Sequence, residues 1–549
     1  MKTTSSRVYV LALCLTALLF TAWGCSKVET QRMERQRPAS VVSTTRDAAP
    51  MDMEMAVAPL APAQEFNTEQ YDRIDENGFR LVSHAPLSTF SIDVDTASYS
   101  NLRRFLNNGA MPPPDAVRIE EMINYFSYDY PRPQGDDPFS VSTELGPCPW
   151  NEEHLLVHVG LRGLDIEAGD RPDSNLVFLL DVSGSMDEPN KLPLLGRALR
   201  LLVDNLDEDD RVAIVVYAGA SGLVLDSTQC DEDGRRDILA ALDELEAGGS
   251  TNGGEGIELA YQVAAEHYIE NGINRVILAT DGDFNVGVTN RGDLTRLIED
   301  KAESGVFLTV LGFGAGNLHD ATMEDLSGRG NGNYAYIDTI TEARRVLVEQ
   351  MGATLQTIAQ DVKIQVEFNP AEVQAYRLVG YENRLLSDED FNNDDVDAGD
   401  IGAGHTVTAL YEIVPTGADF EGHGVDPLIY QNRGHSSDTS GSDHSGELMT
   451  VKLRYKEPEG ETSSLITQAV ANESVELAET SNAFRFSAAV AALGMLLRDS
   501  EHLGNAGYQA VIDLALDARG RDEYGRRAEF VQLVRLARDL DQTEPENGI

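Results

Sequence analysis

The sequence has few basic residues, and very few of these are lysines. The 549-residue chain contains 43 lysines and arginines, of which seven are lysines, against 92 acidic residues. Its formal net charge of −49 repels nucleic acid and anionic lipid, so we expect neither as a direct partner. The acidic excess extends along the whole chain, as in proteins of salt-adapted organisms; an ordinary acidic secreted protein is the alternative.

Cysteine is equally scarce. Cys14 lies within an apolar N-terminal run and Cys25 follows that run, so Cys148 and Cys230 are the two left for the folded part. These two could form one disulfide, or they could be two buried free thiols, and the sequence leaves both possibilities open. No spacing of cysteine and histidine fits a zinc site, so we expect no zinc-binding motif of that kind.

The first 24 residues have the pattern of an export signal. Two positive charges precede an apolar run, residues 8–23, that is short for a membrane-spanning helix. The Gly24-Cys25 junction resembles a bacterial lipoprotein cleavage site, which implies that Cys25 carries a lipid anchor. Ser26 follows in place of an aspartate, which favours the outer membrane in a cell with two membranes. Ordinary secretion and an uncleaved anchor are the alternatives.

The composition of residues 25–85 predicts a flexible tether. This segment is rich in Ala, Pro, Met, Arg and Gln and has no sustained hydrophobic period. Such a composition cannot bury enough apolar surface to offset the entropy of ordering the chain. We therefore expect an exported protein whose folded part is held away from the membrane by its tether.

Hard oxygen donors follow two apolar strands. Residues 176–180 are all apolar, as in strands buried on both faces of a parallel sheet, and residues 275–280 form a second predicted strand with an apolar centre at 276–279. The glycine-rich loop 248–256 lies between them. Because ligands of such sheets bind beyond the carboxyl ends of the strands, the donors that follow are expected to converge on Mg²⁺, or on Mn²⁺ or Ca²⁺. The five donors are Asp181, Ser183, Ser185, Thr251 and Asp281.

With these five residues in this order, the chain resembles the von Willebrand factor type A domain and its metal-ion-dependent adhesion site. The resemblance implies that Ser183, Ser185 and Thr251 bind the ion directly or nearly so. It implies that Asp181 and Asp281 act partly through water. A site rich in neutral hydroxyls leaves the ion electrophilic, with one open coordination position. A carboxylate from a protein partner would fill that position.

The order of the elements predicts the domain organisation. Strands and helices alternate over residues 172–358, which predicts a doubly wound α/β domain with a mostly parallel sheet. Residues 86–165 form a mixed α+β flanking region, residues 359–475 have a period of two that predicts a β-sandwich, and residues 480–543 are helical. This arrangement of flanks resembles that of a family of bacterial von Willebrand type A lipoproteins.

These features predict a membrane-anchored, metal-dependent protein-binding module of the cell envelope. The alternative is an envelope-assembly scaffold whose flanks bind partners while the metal only stiffens the loops. Hydrolysis is not expected, because the chain has no phosphate-cradling loop and no Gly-x-Ser-x-Gly nucleophile elbow. We also expect no histidine or lysine beside the metal motif to act as a base. Nucleotides are not expected as ligands.

Overall fold

The computed structural model describes residues 69–542 except 93, 136, 167–168, 170, 219–220, 250–252, 283–290, 421–443, 445, 459 and 461. The signal, Cys25 and residues 26–68 of the predicted tether lie outside this range. In chain order the strands are β1 (Arg80–Leu81), β2 (Leu87–Ser91), β3 (Phe139–Pro147), β4 (Leu155–Gly163), β5 (Ser174–Asp181), β6 (Arg211–Tyr217), β7 (Ser221–Gln229), β8 (Ile273–Thr280), β9 (Phe307–Phe313), β10 (Tyr334–Ile337), β11 (Thr357–Phe368), β12 (Val373–Val379), β13 (Gly399–Gly402), β14 (Thr406–Pro415), β15 (Glu447–Lys456) and β16 (Ser464–Ala471).

The helices divide into two groups, one within the α/β domain and one flanking it. In chain order they are α1 (Ala97–Asn107), α2 (Ile119–Asn124), α3 (Leu192–Val203), α4 (Glu232–Asp243), α5 (Gly253–Glu266), α6 (Arg291–Glu303), α7 (Asp320–Arg329), α8 (Ile340–Arg344), α9 (Met351–Leu355), α10 (Asn482–Arg498), α11 (Tyr508–Asp517) and α12 (Arg526–Asp541). In the part of the chain that the structure describes, no helix is long and apolar enough to span a bilayer.

The α/β domain is built on one twisted sheet with helices on both faces. Its strand order is β10-β9-β8-β5-β6-β7, and all neighbours are parallel except the edge pair β6–β7. Alternate residues of β5 enter opposite layers: Phe178 packs in the cluster that contains Leu199 of α3, and Leu179 packs in the cluster that contains Tyr261 of α5. This two-sided burial explains the apolar runs, and it confirms the predicted doubly wound fold.

The two flanking regions that the sequence separates form one β-sandwich. One sheet has the order β1-β12-β14-β4-β3, and the other joins β13, β11, β15 and β16, with β2 also paired to β11. Each sheet thus combines strands from before and after the α/β domain, for example β4 with β14. The prediction of two separate regions, 86–165 and 359–475, is wrong because hydrophobic period is local and does not reveal which distant strands pair.

Helices from both ends of the chain cover the outer face of the sandwich. Strand β14 shows this layering, since Tyr411 points into the core between the sheets and Leu410 into a cluster with the helices. That second cluster contains Phe126 from the end of α2 and Phe484 of α10. The α/β domain is therefore an insertion in sequence: the segments before and after it fold together into the sandwich and its covering helices.

A buried ion cluster joins the α/β domain to these helices; we call it the junction cluster. Arg103 of α1 donates hydrogen bonds to Asp338 and Glu342 of the α/β domain and to Glu529 of α12. Arg345 donates to Glu342 and to the hydroxyl of Thr96. Burial raises the pKa of Glu342, but the charges of Arg345 and Arg103 outweigh it and hold that pKa at about 2.

The predicted tether ends earlier than residue 85. Arg104 of α1 pairs with the carboxylate of Glu69, and the backbone N–H of Gln70 donates to the carbonyl of Leu318 at 2.9 Å. Further along, β1 adds to the edge of the sandwich by pairing with β12. This polar segment is ordered by hydrogen bonds and ion pairs to other elements, which its own composition does not reveal.

Both cysteines of the folded part are buried free thiols. Cys148 packs in the cluster of the flanking helices, whereas Cys230 packs in the α/β domain. Burial raises the pKa of Cys230 to about 11 and raises that of Cys148 further above the ordinary thiol range. Of the two possibilities that the sequence leaves open, the structure has the free thiols.

Candidate metal centre

The site begins where β5 ends. Asp181 is fully buried there, and its Oδ1 accepts the backbone N–H of Ser183 at 2.8 Å. Its Oδ2 accepts the hydroxyl of Thr280, the last residue of β8, at 3.3 Å. Burial raises the pKa of Asp181 to about 6, and the charge of Asp281 acts in the same direction. A bound divalent cation would favour the ionised form and reverse this shift.

The two serines lie side by side in the turn after β5. The Oγ atoms of Ser183 and Ser185 are 2.9 Å apart, which is close enough for both to face one ion. The glycine-rich loop is hydrogen-bonded to this turn: Gly184 N–H donates to the Gly249 carbonyl at 3.1 Å, and Gly248 N–H donates to the Val182 carbonyl at 2.7 Å. Thr251 follows in this loop and lies outside the described residues, so its place as a ligand stays a prediction.

Asp281 supplies the most informative atom of the site. It follows β8 and is fully buried, and its Oδ2 accepts from Lys191 Nζ and from Asn317 Nδ2, both at 3.1 Å. Its Oδ1 is also buried, yet among the described residues it has no hydrogen-bond partner. A buried carboxylate oxygen without a partner costs free energy that a cation would recover, so the donor set fits a divalent metal.

The backbone after Asp281 is shaped for a close approach. Gly282 has φ +105°, and a Cβ there would lie 2.3 Å from the carbonyl oxygen of Asn317. Only glycine allows the two loops to meet, and their meeting places the Asn317 amide on Asp281. The loop of Asn317 is also held by the N-terminal segment, since Gly316 N–H donates to Glu69 at 2.8 Å.

Sheet topology explains why these residues lie at one edge. Strands β5 and β8 are adjacent and parallel, with Leu180 opposite Ala279, so both carboxyl ends reach the same side. Four of the five predicted donors are described, and the structure places them on these two strand ends. Within the described residues, no three His, Cys, Asp or Glu side chains form a metal cluster, so a metal here depends on hydroxyls as well as carboxylates.

Three residues of the site escape sequence reasoning: Lys191, Thr280 and Asn317. The sequence predicts no lysine base beside the motif, yet a lysine does lie there: the chain turns back after Ser185, and Lys191 Nζ donates to the Ser185 carbonyl oxygen at 3.0 Å. A signal was present, since lysine is rare in this chain and this one lies six residues after the motif. Asn317 gave no signal, because the loop after β9 meets Asp281 only in the folded domain.

Comparison with known families agrees with the fold. Residues 175–350 match the model described as von Willebrand factor type A domain, residues 65–158 match one described as von Willebrand factor, and residues 353–540 match one described as Uncharacterized protein YfbK, C-terminal. The fold and the matched regions define a von Willebrand factor type A protein with additional flanking regions. Domains of this type typically act as protein-interaction modules and commonly bind a divalent metal.

The flanks identify the particular family. Over 500 residues the chain is 45% identical to the protein YfbK of Escherichia coli (strain K12), which covers 89% of this chain and 84% of YfbK. The chain therefore belongs to the YfbK family of von Willebrand factor type A proteins.

More distant similarities cover less of the molecule. The protein sll0103 of Synechocystis sp. is 30% identical over 199 residues, which are 36% of this chain and 44% of that protein. Among solved structures, the von Willebrand factor type A protein from Catenulispora acidiphila aligns with 75% of this chain and 91% of its own, at 17% identity and a TM-score of 0.40.

Proposed function

We propose that this chain is a divalent-metal-dependent protein-binding module of the cell envelope. The observation that carries the proposal is the buried Oδ1 of Asp281, which has no hydrogen-bond partner among the described residues, at the strand edge that also carries the paired hydroxyls of Ser183 and Ser185. A Mg²⁺, Mn²⁺ or Ca²⁺ ion would be held by these residues with Asp181 and Thr251. Such an ion supplies a Lewis-acidic position for a carboxylate of a partner protein.

Each described residue has a distinct part in this arrangement. The two serine hydroxyls would contact the ion as neutral ligands, which leave its charge largely uncompensated. Asp181 orients the motif turn through its hydrogen bond to the Ser183 N–H, and Thr280 holds its other oxygen. We propose no catalytic step, since every polar group described at the site has a role in holding oxygens rather than in moving a proton.

Binding of the metal tests the proposal first. We expect isothermal titration of the full chain with Mg²⁺ and Mn²⁺ to show one site per chain. Ser183→Ala should lose that site, whereas the matched control Ser464→Ala, at the exposed start of β16, should retain it. No uptake by the wild-type chain would refute the proposal.

Crosslinking to a partner protein tests whether the bound metal mediates protein binding. Crosslinking in native membranes should give a protein adduct in Mg²⁺ that EDTA and Ser183→Ala both remove and Ser464→Ala preserves. An adduct that persists in EDTA and in Ser183→Ala would instead favour the scaffold alternative, in which the flanks bind the partner.

Anchoring to the membrane is a separate part of the proposal. We propose that Cys25 is the lipidated first residue of the exported chain, in the outer membrane where the cell has one. Cys25→Ser should move the protein from the membrane fraction to the soluble fraction. Cys14→Ser, which lies in the apolar run that the signal would remove, is the matched control and should stay with the membrane. Equal distribution of both variants would contradict the lipid anchor.

A further inference from the structure

We propose that Lys191 is a built-in counter-cation of the metal centre, which lowers the affinity for the metal and raises the affinity of the loaded metal for a carboxylate. The inference rests on the proposed function, because it concerns the same site. Lys191 is not one of the five predicted donors, so the inference assigns a role to a further residue of the site.

The contacts of Lys191 connect the two halves of the site. Its Nζ donates to Asp281 Oδ2 at 3.1 Å and to the Ser185 carbonyl oxygen at 3.0 Å, and Glu188 Oε1 lies 3.3 Å away. The Lys191 side chain is 2% exposed, whereas that of Glu188 is 56% exposed. The ammonium group therefore links the backbone of the serine turn to the carboxylate after β8, with little access to water.

The aliphatic stem of Lys191 packs against the loop after β9. Gly314 has φ +77°, and a Cβ at this position would lie 2.3 Å from Lys191 Cε. The loop after β9 thus packs directly against the stem. The same loop brings Asn317 to Asp281 Oδ2, so this oxygen has two donors, whereas Oδ1 has none among the described residues and would face the ion.

Charge then decides what Lys191 does. Asp181 and Asp281 carry two negative charges when ionised, which a divalent ion would cancel. With Lys191 the three buried groups sum to −1, so the buried part of the loaded site carries +1; the Glu188 carboxylate adds a negative charge that is 56% exposed and screened by water. Because the region is buried, the extra positive charge of Lys191 acts at reduced dielectric screening. It repels the arriving metal, and it makes the open position of the bound metal more attractive to an anionic ligand.

The test compares affinities for the metal and for a simple carboxylate. Mn²⁺ binding to the full chain is measured by electron paramagnetic resonance, and glutarate binding to the Mn²⁺-loaded chain is measured by water proton relaxation. Lys191→Met should bind Mn²⁺ at least tenfold more tightly and glutarate at least threefold more weakly than the wild type. Lys191→Gln, which keeps a donor without the charge, should shift both affinities in the same directions.

The control is Lys452→Met, which removes a lysine that pairs with Glu367 in the sandwich, and it should match the wild type in both affinities. If the wild type takes up no Mn²⁺, the proposed function fails. If the wild type binds Mn²⁺ but the folded Lys191→Gln or Lys191→Met chain binds it no more tightly, this inference alone is overturned. Circular dichroism identifies which of the two Lys191 variants is folded and carries the comparison.

Discussion

The candidate metal centre lies at the edge of the α/β domain formed by the carboxyl ends of β5 and β8, which we call the metal edge. This edge and the junction cluster bury charge in opposite ways. At the junction, Arg103 and Arg345 surround Glu342 with donors, and Asp338 is bound by the same Arg103. At the metal edge, one oxygen of Asp281 is buried with no partner in the described chain. We interpret the difference as one of role: the charges of the junction cluster have their donors within the protein and connect its regions, whereas the incomplete bonding of Asp281 among the described residues is what we propose a cation completes.

Breaking the junction cluster should have the largest effect on the free energy of unfolding. Arg103→Met removes the donor that Asp338, Glu342 and Glu529 share, and it takes the guanidinium from the buried Asp338 while Glu342 keeps Arg345. We expect a loss of about 3–5 kcal/mol in the free energy of unfolding, measured by urea denaturation of the metal-free chain. Mn²⁺ affinity of the folded variant should equal that of the wild type. A large drop in Mn²⁺ affinity would show that the two regions are not independent.

Removing one charge at the metal edge should weaken metal binding and leave the stability of the metal-free chain unchanged or raised. Asp181→Asn should weaken Mn²⁺ binding at least about 100-fold, since a charged oxygen next to the ion becomes a neutral amide. The metal-free variant should melt at the same temperature as the wild type or higher, because burial disfavours the ionised Asp181 carboxylate, as its raised pKa shows, and the amide carries no charge. Calorimetry of both chains with EDTA measures this, and a strongly lowered melting temperature would contradict a functional role for the charge.

The two regions should also differ in their response to pH. The pKa of Asp181 is raised to about 6, so the metal-free folded chain binds this proton more tightly than the unfolded chain, and stability falls as pH rises from about 4 to 6. The pKa of Glu342 is lowered to about 2, so its contribution is present above pH 4.5 and is lost as pH falls toward 2. Denaturation of the wild type and Asp181→Asn at pH 4 to 7 should show the variant gaining relative stability, by up to about 2–3 kcal/mol. A constant difference would be evidence against the raised pKa.

The cysteines should give the smallest effect. Because Cys148 and Cys230 are free thiols in separate clusters, a reducing agent should leave the melting temperature unchanged. Thiol labelling of the native chain should be slow at both positions and fast after unfolding. A melting temperature that drops on reduction would show a disulfide and would require these two residues to approach one another.

The parts of the fold and site that the sequence predicts are those with a local signature. The apolar run before Asp181 and the alternation of strands and helices depend on burial on both faces of the sheet, which leaves a continuous pattern. The pairing of β4 with β14 has no local signature in the sequence, because strands so far apart along the chain meet only when the whole sandwich folds. Asn317 was missed for the same reason, since it reaches Asp281 through the loop after β9. Lys191 differs, because a rare lysine six residues after Ser185 is a local signal, although its contact with Asp281 is not.

The central claim is that the carboxyl ends of β5 and β8 hold one divalent cation. Anomalous diffraction from crystals of the full chain grown with Mn²⁺ tests it most directly. We predict a single strong manganese peak per chain, in contact with the hydroxyl oxygens of Ser183 and Ser185 and on the side of Asp281 that carries Oδ1. No manganese peak at this edge, or a peak elsewhere in the chain with this edge empty, would contradict the account.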